Sequence, residues 1–172
     1  LVVGNQLPGT SALAAAFAER PAVKKAENVK VAKERPRELP SLSSAYDPFQ
    51  LVILNGTSLE DAPPGALAAL SKWVEAGGTL AVFPGPEWAS GLPEPFWKLL
   101  HVRPAAEQPL PEPLAARIGP ASQRGAYRPL APGEDTRELE GGLAFTSPHG
   151  AGTVTVFTFG PAGAASDGGL RP

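Results

Sequence analysis

Apolar positions along this chain fall into short runs between proline, glycine and polar segments, and the runs predict alternating strands and helices. Leu1 to Val3 reads as a buried strand ended by Gly4. Gly4 to Thr10 reads as a loop. Ser11 is placed to cap a helix through about Phe17, with Leu13, Phe17 and the intervening alanines facing inward. Val29 to Ala32 reads as a second short strand, so strand, helix and strand follow as a βαβ unit of a parallel sheet.

A polar, proline-broken link covers Arg35 to Asp47. Phe49 to Leu54 is a near-continuous apolar run, as expected of a strand covered on both faces. Asn55 to Ser58 turns the chain, and Pro63 and Pro64 suit a helix start. That helix is expected to reach about Ala76, with Leu67, Leu70 and Val74 on one face and Trp73 widening the stripe. Gly77 and Gly78 permit a left-handed cap, and Thr79 to Phe83 is the next strand, reached by a right-handed crossover.

Beyond Pro84 the periodicity weakens. Phe96 to Leu100 predicts a short helix packing Phe96, Leu99 and Leu100. Pro104 to Pro113 reads as a surface linker. Ala126 to Leu130, Thr136 to Leu139 and Leu143 to Thr146 read as short strands. Thr153 to Phe159 alternates, with Val154, Val156 and Phe159 apolar, after a tight Gly150 to Gly152 turn. The expected fold is α/β: an open parallel sheet with helices on both faces and a β-rich, proline-rich C-terminal half. One domain is expected over 1–172, with a parallel βα core at 1–103, an irregular β insertion at 104–149, a returning core strand at 150–160 and a tail at 161–172.

A length of 172 residues suits one domain, and 42% apolar residues suffice for a core. The formal net charge is −2, and the lysines and arginines at 24, 25, 30, 33, 35 and 37 alternate with Glu19, Glu27, Glu34 and Glu38. This is a mixed-charge face rather than the basic stripe that a phosphate backbone requires, so no nucleic-acid partner is expected. The absence of cysteine excludes disulfides, a thiol nucleophile and thiolate metal ligation. Methionine is absent too, even at position 1, so a fragment or processed product is expected. No signal peptide and no apolar run near ~18 residues appears. The 21 prolines and 19 glycines suit a thermophile and equally a G+C-rich genome.

In an open parallel sheet, ligands bind beyond the carboxyl ends of the strands. The loops there would offer Asn5, Gln6, Asn55, Thr57, Ser58 and Glu87 as ligand-binding groups, although turns call for the same residue types. The glycine spacing after the first strand matches neither phosphate-cradling motif, and neither Gly9 to Leu13 nor Gly56 to Glu60 completes a nucleophile elbow. His101, in an apolar context, reads as packed near a helix end, and His149 as exposed in a turn. Neither lies at metal-ligand spacing from an acid in the sequence. Glu60 and Asp61 read as complementing a helix dipole. Trp88 and Trp97 read as covering the sheet edge rather than as a contact patch. No catalytic residue, metal or cofactor is expected.

Two segments resemble a known family. Tyr46 to Gly56 followed by Leu67 to Phe83, with its Trp73-Val74 and Gly77-Gly78-Thr79-Leu80, is similar to class I glutamine amidotransferase-like domains. Gly150 to Phe159 followed by Ser166-Asp167-Gly168-Gly169-Leu170-Arg171-Pro172 resembles the ending of such domains in Bat-like aerotolerance membrane proteins. The resemblance implies a flavodoxin-like sheet, a companion von Willebrand factor A domain and a membrane helix after the tail. The turn where active members carry their cysteine reads Pro84-Gly85-Pro86-Glu87-Trp88 here, so amidotransferase activity is excluded. The expected role is a non-catalytic interaction or scaffold domain, extracytoplasmic and membrane-anchored through other segments. Its partners would be other domains of the same chain or proteins of a membrane complex. The alternatives are a small-ligand sensor using Asn5, Asn55 and Glu87, and a hydrolase using Ser58 or Glu87.

Overall fold

A computed structural model describes residues 1–4, 32–55, 59–83, 92, 94–105, 112, 129–139 and 141–158. Its centre is a seven-stranded sheet in the order β2-β1-β3-β4-β9-β8-β7. The strands are β1 (Val2–Gly4), β2 (Lys33–Glu34), β3 (Leu51–Asn55), β4 (Thr79–Phe83), β7 (Arg137–Leu139), β8 (Ala144–His149) and β9 (Gly152–Phe157). The first four and β9 run parallel, whereas β8 and β7 are antiparallel. The architecture is therefore a mixed α/β sheet, not the wholly parallel one expected. Two strands of the C-terminal half extend it, because a tight hairpin at Gly150 and Ala151 reverses the chain from β8 into β9.

The segment from 51 to 83 is where local pattern and structure agree best. Strand β3 is buried along Val52 to Asn55, and β4 pairs with it in register from Leu51↔Thr79 to Asn55↔Phe83. Helix α1 (Ala66–Glu75) joins them and buries Ala66, Ala69, Leu70, Trp73 and Val74, three- and four-residue steps that form one face. It ends as a left-handed cap requires. Gly77 has φ 122° and its N–H donates to the Val74 carbonyl, while the Gly78 N–H reaches back to the Trp73 carbonyl. The start differs from the expectation. Pro63 and Pro64 precede the helix, Gly65 stands left-handed at its N-cap, and Glu60 and Asp61 lie exposed in a turn before the first helical turn.

Helix α2 (Glu94–Leu100) buries Phe96, Trp97, Leu99 and Leu100, so Trp97 is a core residue. Both α1 and α2 pack on one sheet face, against Val52, Leu54, Leu80, Val82, Val154 and Val156. The opposite face carries Val2, Ile53, Leu51, Ala81 and Phe83, with Phe83 stacked on Phe157 at 4.1 Å between ring centroids. A small antiparallel pair, β5 (Val102–Pro104) and β6 (Leu130–Pro132), adds Val102 and Leu130 to the core.

Three shifts from the sequence reading have local causes. The second strand forms at Lys33–Glu34, one step beyond the apolar residues Val29 to Ala32. Among the described residues it is paired on one side only, where backbone pairing to Val2 and Val3 suffices without apolar side chains. The strand expected at Ala126 to Leu130 forms at Leu130–Pro132, and residues 126–128 lie outside the described residues. The proline-broken link makes two 3₁₀ turns, Pro36–Glu38 and Ser43–Tyr46, and places Leu39 and Tyr46 in the core. The helix expected from Ser11 also lies outside the described residues.

Candidate functional site

Strand order reverses beside β1: β2 follows on one side, whereas β3 and β4 follow on the other. Such a switch point opens a crevice past the carboxyl ends of the strands. Asn55 closes β3 at that edge, in register with Gly4 of β1 and Phe83 of β4. Its side chain is fully buried. Asn5, Gln6, Thr57, Ser58 and Glu87 lie outside the described residues, as does Trp88.

A second cluster lies at the opposite end of the sheet and was not legible as a site in the sequence. Along β8 the odd positions Phe145 and Ser147 face the helix layer, paired with Val156 and Val154. His149 continues that parity opposite Gly152 and meets the C-terminal turns of α1. Its Nε2 lies 3.2 Å from Ser71 Oγ and 3.4 Å from Glu75 Oε1. Its Nδ1 lies 3.3 Å from Nε2 of His101. His149 is thus half-buried in a contact network, rather than exposed in its turn as expected, because the hairpin folds down onto the helix end.

His101 follows α2 as expected of a histidine at a helix end, with φ 53°. Its carbonyl accepts from the Gly133 N–H at 2.8 Å and the Thr136 hydroxyl at 3.0 Å, which holds the backbone at this turn. Burial pushes the His101 imidazole below its usual range, the nearby His149 charge adds to that, and Asp135 opposes it. The two rings meet at 67° with centroids 5.6 Å apart, so their near nitrogens point at each other and not at a common third point. Among the described residues no group of three His, Cys, Asp or Glu side chains is placed to hold a metal ion.

Ser71, His149 and His101 superficially form a hydroxyl–imidazole–imidazole relay. The nucleophile reading fails on its surroundings: Ser71 sits inside α1, where neighbouring backbone N–H groups are taken by helical bonds, so they cannot stabilise an oxyanion. Alternation along β8 and the four-residue step from Ser71 to Glu75 were the available signals for this cluster. They placed the residues on faces without saying that the faces meet.

No family model matches the chain, and no curated protein does. Solved structures share its α/β fold. The cytoplasmic protein STM3548 from Salmonella typhimurium is similar with a TM-score of 0.57 and 12% identity, over 80% of this chain and 72% of that one. The exo-β-1,4-mannosidase Op5Man5 from Opitutaceae bacterium strain TAV5 is similar with a TM-score of 0.52 and 21% identity, over 83% of this chain. The chain spans 25% of that enzyme's length. The mmIFT52 N-terminal domain gives a TM-score of 0.51 at 11% identity, over 80% of this chain and 76% of that one. Likeness at these identities concerns fold alone. No described helix is long and apolar enough to cross a membrane.

Proposed function

We propose that this chain is a non-catalytic interaction module of flavodoxin-like, amidotransferase-like ancestry, serving a membrane-anchored bacterial protein. The observation that carries the reading is the missing thiol. The chain has no cysteine, so the reaction associated with the resembled family has no nucleophile. The parallel order β2-β1-β3-β4-β9 supports the flavodoxin-like part. The tail segment at 166–172 supports the membrane part through its resemblance alone.

The test is to express the full reading frame in a bacterium, separate membranes with alkaline carbonate, and cross-link what remains. The reading expects a membrane-retained product that loses cross-linked partners when this domain is deleted. Release of the product into the soluble fraction, or release of ammonia from glutamine by the chain, would overturn it.

A second reading is a small-ligand sensor, favoured by the buried carboxamide of Asn55 at the strand-order switch. It expects a metabolite whose binding raises the unfolding temperature of the chain and whose effect disappears in Asn55→Ala.

A further inference from the structure

The two histidines sit where three parts of the fold converge. His149 ends β8 in the hairpin, His101 joins α2 to β5, and Ser71 and Glu75 lie on the last turns of α1. The hairpin is also tied to α1 by backbone: Ala151 N–H donates to the Glu75 carbonyl at 2.8 Å and Thr153 N–H to the Gly78 carbonyl at 3.1 Å. We propose that the His101–His149 pair is a proton-operated clasp, which holds the β8–β9 hairpin against the helix layer while at most one of the two imidazoles is charged.

The reasoning is a count of protons on facing nitrogens. A hydrogen bond between His101 Nε2 and His149 Nδ1 needs one N–H and one lone pair. With both rings neutral, His149 carries its proton on Nε2, facing the Glu75 carboxylate and the Ser71 hydroxyl, and His101 donates to the bare His149 Nδ1. One added proton on either ring still leaves one N–H and one lone pair between the facing nitrogens: His101 donates if it takes the proton, and accepts through Nε2 if His149 takes it. A second proton puts N–H groups on both facing nitrogens and sets two like charges side by side, so the contact becomes repulsive. The charged groups facing the pair are Glu75 from α1, with Oε1 3.4 Å from His149 Nε2, and Asp135 from the turn after β6, which favours a charged His101. Two such coupled groups shed protons in separate macroscopic steps.

The sign follows from burial. His101 is held below its unfolded value, so the unfolded chain binds more protons in that window. The stability it contributes is present above pH ~6.5 and is lost as pH falls through the folded value.

The experiment is an NMR titration of both imidazoles between pH 8 and pH 4, with amide exchange followed at Ala151 and Thr153. The clasp expects two steps separated by about one pH unit or more, with protection of those amides, relative to their intrinsic base-catalysed exchange, falling about tenfold only across the lower step. His101→Asn is the paired variant, because asparagine tolerates the left-handed backbone at this site and keeps the chain folded. In it, a single imidazole step and a pH-independent protection at both amides, relative to intrinsic exchange, are expected. Independent titration of the two rings in the parent chain, or an unchanged exchange profile in His101→Asn, would overturn the proposal.

Discussion

Tyr46 shows what a single residue does in this fold. It is fully buried, its ring lies 6.0 Å from that of Trp73, and its hydroxyl donates to the Pro40 carbonyl at 3.0 Å. Burial raises the phenol to about 12. The unfolded phenol ionises near ~10, so this contribution is whole below that pH and fades as pH rises towards the folded value. Tyr46→Phe should cost about 1 kcal/mol at neutral pH, read from urea unfolding, through the bond lost by the Pro40 carbonyl. The same variant should also lose part of the alkaline decline that the parent shows above pH ~10. The sequence marks Asn55 as a candidate because it ends an apolar strand at a turn. The depth of its burial was not, since that depends on both neighbouring strands.

At the scale of elements, the junction between the hairpin and α1 depends on glycine for space. A Cβ on Gly152 would fall on the carbonyl oxygens of Val74 and Gly78. One on Gly150 would lie 2.6 Å from the Glu75 carbonyl oxygen, at a residue whose φ is already +62°. Neither neighbour can yield, because each is backbone at the end of a capped helix. Gly152→Ala should therefore destabilise by about 1–3 kcal/mol, as overpacking does, with the loss read as a lower urea midpoint at unchanged slope. The Gly77-Gly78 cap was legible in the sequence, as were α1, β3 and β4, because face periodicity and helix stop signals are local. The β2 shift and the 3₁₀ turns of the link were not. They follow from pairing and from the burial of Leu39 and Tyr46, which local polarity concealed.

At the scale of the molecule, the larger core among the described residues runs from β1 through both helices to β6. It contains Val3, Leu70, Leu99, Val102, Leu130 and Val154 together. Leu70 is wholly buried within it. Leu70→Ala should lower stability by about 2–5 kcal/mol, and Val102→Ala should lower the same transition rather than expose a second one. Circular dichroism and tryptophan fluorescence followed together should give coincident curves, with Trp73 and Trp97 both reporting from that core.

The order of apolar and polar residues by itself determined the α/β class, the β3–α1–β4 unit and the absence of thiol chemistry. Those properties reside in spacing and in residue type. Only the tertiary structure decided that β8 and β7 would extend the main sheet antiparallel, and that His149 would meet a histidine 48 residues earlier in the chain. Strand neighbours and side-chain encounters of that kind are set by which packing of many distant faces buries the most surface at once. No local window of the sequence contains that sum.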